Sequence, residues 1–304
     1  MSNFVLLGAC FVLGVVLRRS GRLPDNAPAA LNGFVINVSL PALTLVYVHE
    51  LRLSAALLYP ILMPWIMFAL GCAFFYGVGR WLRLPPATTG ALMLTGSLAN
   101  TSFLGLPMIE TFFGPQGLAI GILIDQAGTY LVLSTLGIAL AATYAARESK
   151  LTAKSVLRKI GTFMPFISLV VAFALIPVQY PEWLTDLLRR LGGTLVPLAL
   201  VSVGYQIRWS AVRGKARLLG IGLAFKLALA PAIIALIYGA LVGFESEAIR
   251  ITVFEAAMVP QIGAAIVAME HELDPPLVTL MVGIGVPLSF VTVPMCAWLL
   301  GAVA

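Results

Sequence analysis

The chain has 304 residues, of which 60% are hydrophobic and 11% charged, with a formal net charge of +6. A soluble domain of this length carries about a quarter charged residues, so the composition excludes a soluble fold and points to the membrane. The positive balance is no nucleic-acid footprint. Five Lys and Arg fall in 147–159 and four in 208–217, short basic loops of the kind that set membrane topology.

In chain order, hydropathy predicts spans over roughly 3–18, 28–49, 54–79, 87–109, 116–144, 162–179, 188–206, 218–241, 248–269 and 276–302. The first follows Met-Ser-Asn directly, without a basic lead-in or a cleavage site, and reads as a retained span. Alternate loops differ sharply in charge. Odd-numbered loops hold fourteen Lys and Arg and even-numbered loops four, namely Arg52, Arg189, Arg190 and Arg250. That asymmetry places the odd loops in the cytoplasm and both termini outside. Five spans per half force the second half to enter from the opposite side, so any repeat is inverted. Its expected parts are 1–146 and 161–304, joined by the basic stretch 147–160. Leu40-Pro41 recurs as Val196-Pro197 at an offset of 156, and Gly105 as Gly263 at 158.

Span 4 and span 9, each fourth in its half, are interrupted. The first reads Ser97-Leu-Ala-Asn-Thr-Ser-Phe-Leu-Gly-Leu-Pro107, the second Glu255-Ala-Ala-Met-Val-Pro-Gln-Ile-Gly263. A broken helix leaves backbone groups that hydrocarbon cannot satisfy, so both breaks must face protein or water. Matched breaks in two repeats are the best sequence pointer to a transporter's binding site.

These residues carry a resemblance. Asn100-Thr-Ser-Phe-Leu-Gly-Leu-Pro107, continued to Gly114, resembles helix four of auxin efflux carrier family proteins. Glu255-Ala-Ala-Met-Val-Pro-Gln261 with Glu272-Leu-Asp-Pro-Pro276 is similar to that family's helix nine and the turn after it. Lys226-Leu-Ala-Leu-Ala-Pro231 looks like its helix eight, and Asn32-Gly-Phe-Val with Leu40-Pro41-Ala-Leu43 like its helix two. The resemblance implies an all-α membrane protein of ten helices in two inverted five-helix repeats, with helices four and nine crossing. It also implies elevator-type transport of a small carboxylate such as malate, malonate or an auxin-like acid. Three departures stand out: Val259 precedes Pro260, Ala265 replaces a second proline, and Met164 precedes Pro165. The first two leave open where span 9 breaks.

Half-helix ends attract anions through their free N–H groups. Asn100, Thr101 and Ser102 add polar side chains on one side of the crossing; Gln261 and Gly263 add an amide and open backbone on the other. Gly105, Pro107 and Pro260 complete the candidate substrate site, and Asn37 and Ser39 are candidates from span 2, with ordinary packing as the alternative. Asp125, about ten residues inside span 5, is costly at that depth and needs a partner or a purpose. With Gln126 it can bind a coupling proton or sodium ion, or pair with Lys226. Glu255 is either a second coupling group or a hydrogen-bonding support for the crossover. Lys226 can compensate either acid, neutralise a substrate carboxylate, or snorkel.

Cys10, Cys72 and Cys296 lie in apolar spans, and His49 and His271 stand alone, so no metal site, disulfide or cofactor is expected. The enzyme class lacks its motifs: there is no Gly-x-Ser-x-Gly and no His-Glu-x-x-His. A sodium–proton antiporter using Asp125, and a membrane receptor that does not transport, are the alternatives to carboxylate transport. The expected setting is a bacterial inner membrane, with lipid and a small carboxylate as partners and a homodimer compatible with the reading.

Overall fold

The computed structural model describes residues 2–51, 54–145, 153–206 and 214–302. Arg52, Arg147, Lys150, Arg208 and Arg213 of the charge count, and residues 147–152 of the junction 147–160, lie outside these residues. Among the described residues the chain is helical. In order the helices are α1 (Ser2–Ser20), α2 (Ala27–Val48), α3 (Ala55–Trp81), α4 (Pro86–Ser97), α5 (101–112), α6 (Pro115–Tyr144) and α7 (Ala153–Thr162). They continue as α8 (Met164–Ala174), α9 (Glu182–Gln206), α10 (Ala216–Val242), α11 (Glu247–Ala256), α12 (Ile262–Glu270) and α13 (Pro275–Leu299).

Six of these, α2, α3, α6, α9, α10 and α13, are long and apolar enough to cross a membrane. Outward faces of α1 and of two of the six are apolar as well. Val5, Val12 and Val16 of α1, Leu236 and Leu241 of α10, and Val291, Met295 and Trp298 of α13 are all exposed. Helices this hydrophobic on their outer faces belong in a bilayer. The chain is therefore an integral membrane protein.

Local sequence explains most helix ends. Proline stands in the first turn of α4, α6 and α13, where its missing N–H costs nothing. Gly243, at φ +71°, closes α10 by donating to the carbonyls of Tyr238 and Gly239. The expected span at 162–179 is shorter than predicted: its helix covers 11 residues. Pro165 stands in its first turn, and Pro177 follows its end, disfavouring helical backbone in the residue before. At about 1.5 Å per residue it reaches roughly half the thickness of a hydrocarbon core. In contrast α9 begins six residues earlier than predicted and turns at Gly193 and Thr194.

The helices pack in two groups. α1, α2, α8 and α9 form one, and α3 to α6 with α10 to α13 form the other. The first group is held by close backbone approach. A Cβ on Gly14 would lie 2.2 Å from the Val201 carbonyl oxygen, and one on Gly204 2.1 Å from that of Phe11, the small-residue contact that lets membrane helices touch. Gly192 likewise receives Leu43 of α2, whose Cδ2 lies 2.4 Å from the Cβ position. In the second group Asp274 ties three helix starts together. Its carboxylate accepts from Lys215 Nζ at 2.6 Å, before α10, and from Thr88 Oγ1 at 2.7 Å, in α4. It also caps α13 through the Leu277 N–H.

Burial alone would raise the Asp274 carboxyl, but the hydrogen bonds from Lys215 and Thr88, the Lys215 charge and the Leu277 N–H hold it below its ordinary value. A depressed native value means stabilisation that is present above about pH 4 and lost as pH falls through the native value. Asp274→Asn is expected to lower the unfolding midpoint in detergent at pH 7, by roughly 1–2 kcal/mol. The gap to wild type should shrink as the pH is taken below 4; an equal gap at every pH would contradict the role.

Candidate functional site

Both interruptions are present, and they meet. α4 ends at Ser97, Leu98 to Asn100 leave the helix with Leu98 extended, and α5 restarts at Thr101. α11 ends at Ala256 and α12 restarts at Ile262, with Gln261 extended before it. Ala99 and Pro260 form an antiparallel bridge. The Asn100 N–H donates to the Val259 carbonyl at 2.8 Å, and the Gln261 N–H to the Leu98 carbonyl at 3.1 Å. Replacing each residue by the one 161 positions away exchanges these two hydrogen bonds. The crossing thus has a local two-fold relation at that offset, which pairs Asn100 with Gln261. The sequence match of Gly105 with Gly263 was three residues out of that register.

The first break lies beside Asn100, and Pro107 does not end the helix. Pro107 is buried within α5, beyond a widened turn over Thr101–Gly105 in which the Gly105 N–H reaches back to the Asn100 carbonyl at 3.0 Å. Such a turn absorbs the proline without ending the helix. Asn100 instead starts α5: its Oδ1 accepts from the Phe103 N–H at 3.1 Å, leaving its Nδ2 without a protein partner.

A cavity of 160 Å³ adjoins both restarts, lined by Ser102, Phe103, Gln261, Gly263 and Asp125 together with Val35, Ile36, Leu40, Tyr130, Leu133 and Phe163. It has room for about five waters' worth of solute. The first N–H groups of a helix have no partner within it, so the ends of α5 and α12 both bring positive potential here. Asp125, 4% exposed, accepts from Thr101 Oγ1 at 2.6 Å. Gln126 donates to Thr44 Oγ1 at 2.7 Å, linking α6 to α2. Gln261 Oε1 and Gln126 Oε1, both buried, have no protein partner either. Buried polar atoms in native proteins are nearly always satisfied, so this concentration marks a place that takes a polar solute or water.

Behind the crossing lies a second polar cluster. Glu255 is fully buried, its carboxylate has no hydrogen-bond partner, and it sits against Gly105, whose Cβ position is 2.4 Å from Oε1. Gly105 therefore makes room for Glu255 and does not line the cavity. Lys226 is also fully buried and donates to the Ala256 carbonyl at 2.9 Å, the end of α11. Glu255 lies within Coulombic reach of both Asp125 and Lys226, yet among the described residues Lys226 forms no ion pair. The snorkelling alternative is excluded by its burial.

The span 2 candidates lie away from the cavity. Asn37 is exposed and bonds its own helix at the Gly33 carbonyl, 2.8 Å away. Ser39 is shared with Thr194 at 2.7 Å and joins α2 to α9. Pro260 holds the bridge and packs against Gly285. Sequence reasoning missed Thr44 and the stacked pair Tyr130 and Phe163, whose centroids are 3.7 Å apart at the cavity's edge. Nothing in the local sequence distinguishes these from other apolar-span residues. No group of three or more potential metal ligands occurs among the described residues.

The family model described as a membrane transport protein matches residues 4–297. A protein of Methanothermobacter thermautotrophicus named an uncharacterized transporter is 27% identical over 288 residues, covering 93% of each chain. One of Methanocaldococcus jannaschii, also named an uncharacterized transporter, is 25% identical and covers 98% of each.

Lys226→Met removes a charge-assisted hydrogen bond, orphans the Ala256 carbonyl and leaves Glu255 without a nearby cation. The expected loss is about 2–4 kcal/mol of stability, read as a lower unfolding midpoint in detergent. An unchanged midpoint would mean the ammonium does not hold the end of α11.

Proposed function

The chain belongs to the membrane transport protein family, the auxin efflux carrier family that its broken helices resemble, and we propose that it carries a small organic anion across the bilayer. The observation that supports this reading is the cavity facing two helix N-termini at once. Each such end favours an anion by about 0.3–1 kcal/mol in exposed settings and up to about 2 when partly buried. Ser102 and Gln261 line the cavity, and Asn100, at the start of α5 two residues before Ser102, has a buried Nδ2 with no protein partner to offer as a donor. A carboxylate can be held there without a buried arginine.

Asp125 gives the site its coupling. An ionised acid beside an anionic substrate is repulsive, so the pair is bound with a proton on Asp125 or a sodium ion against it. Glu255, Lys226 and Gly105 then support the crossover from behind. Ten spans in two inverted repeats, 1–146 and 161–304, fit the two-fold relation at the crossing. Movement of α3 to α6 and α10 to α13 past α1, α2, α8 and α9, as in an elevator, fits the two packing groups. The charge count supports both termini on the outer side. The antiporter reading needs Lys226 as the counter-charge of Asp125, and the ammonium instead serves the Ala256 carbonyl.

Malate, malonate and indole-3-acetate, each tested on purified protein by thermal shift with and without sodium and across pH, examine this directly. At a hundredfold excess over Kd a bound anion adds about 2.7 kcal/mol of stability. At least one of the three should stabilise the wild type, and Asn100→Ala should abolish the shift. Wild-type affinity in Asn100→Ala would mean the anion lies elsewhere. Asp125→Asn should lose the pH or sodium dependence while still binding; retained dependence would move coupling to Glu255.

A further inference from the structure

A larger cleft of 360 Å³, separate from the central cavity, opens between the two helix groups. One wall is a single face of α12, Ile262, Ala265, Ile266 and Met269, at the i, i+3, i+4, i+7 spacing that aligns side chains on a helix. The other end is polar, with Arg18, Asp25 and Gln206. Cleft and cavity share the same two helices. Along α2 the cleft reaches Pro28 and the cavity Val35 and Ile36, about 11 Å further on. Along α12 the cleft runs from Met269 back to Ile262, next to the Gln261 and Gly263 that line the cavity. The cleft therefore leads from the arginine-bearing end of α1 towards the crossing.

Arg18 is held in place at that end. Its guanidinium lies 5.3 Å above the Tyr205 ring. Tyr205 is itself buried, and its hydroxyl is directed at the carbonyls of Leu23 and Pro24 at 2.8 and 3.1 Å. The partner of Arg18 is not held. Asp25 accepts from it at 2.8 Å, but its side chain is 90% exposed against 27% for Arg18. Ion pairs of this kind are worth at most about 1 kcal/mol, and a guanidinium has donors to spare.

We propose that the cleft is a second anion site, a staging position for the transported molecule, in which Arg18 takes the carboxylate and the apolar face of α12 takes its hydrocarbon part. Asp25 is the internal competitor that the anion displaces. The proposal rests on the reading of the central cavity as an anion site. It goes beyond that reading in giving Arg18 and Asp25 opposite roles in selecting what enters.

The test needs no knowledge of the substrate. Cys10, Cys72 and Cys296 are replaced by alanine, and Thr279, which lines the cleft, is changed by Thr279→Cys. Rates of modification by the anionic sulfonatoethyl and the cationic trimethylammonioethyl methanethiosulfonates are then compared. The position should react with these water-borne reagents. Arg18→Gln should shift the ratio about tenfold towards the cationic reagent, and Asp25→Asn should shift it the other way. A merely structural Arg18–Asp25 pair would give both variants the same effect. Absence of reaction until the protein is denatured, as for a cleft filled by lipid chains, or a ratio unmoved by Arg18→Gln, overturns the proposal. Gln206→Cys provides the second labelling position should Thr279→Cys not fold. Failure of the central reading shows separately, in the ligand shift of Asn100→Ala, and leaves the labelling ratios untouched.

Discussion

Everything at the centre of this molecule follows from one constraint: backbone freed inside a membrane must find protein partners. Leu98 to Asn100 and Ala257 to Gln261 leave the helix, and lipid offers them nothing. They satisfy one another instead, through reciprocal bonds from Asn100 to Val259 and from Gln261 to Leu98. Pro260, which has no N–H, stands at the bridge where a donor is not needed. Bridging the two stretches aims the starts of α5 and α12 at the cavity they share. The two helix starts that face the cavity are thus a by-product of how the break is made tolerable.

The same crossing organises the buried charges. Asp125 is engaged by the α5 start through Thr101, Lys226 caps the end of α11, and Glu255 fills the space left by Gly105. Each ionisable group thereby touches one of the four half-helices or the wall between them. Burying ions unaided is expensive; Asp125 and Lys226 are each tied to a half-helix, and Glu255 lies within Coulombic reach of both. The two acids, the base and the glycine thus occur together, although they lie on four separate helices. It also separates two tasks that look alike in sequence: Asp125 faces the cavity, whereas Glu255 lies behind the crossing.

Between the helix groups the structure is less tightly joined than within them. Gly14, Gly204 and Gly192 bring α1, α2 and α9 into backbone contact, and Asp274 clasps α4, α10 and α13. The two cavities, by contrast, both lie at the boundary between the groups. Gaps at such a boundary, with firm contacts on either side, suit a carrier whose parts shift against each other.

Much of this was written in the sequence, for reasons that are local. Hydrocarbon demands long apolar runs, so hydropathy located the long helices, and prolines and glycines marked most of their ends. The family and the neighbourhood of the breaks were legible in Asn100 to Pro107 and Glu255 to Gly263. The tertiary structure decided the rest. It kept Pro107 inside a helix and fixed the register of the crossing, in which Leu98–Asn100 pairs with residues 161 positions away. It turned Asn37 outward, gave Gly105 to Glu255 and Lys226 to a carbonyl, and brought Tyr130 and Phe163 to the cavity. Which way a side chain points inside a bundle depends on helix rotation and on neighbours distant in the chain, and no local pattern of residues encodes either.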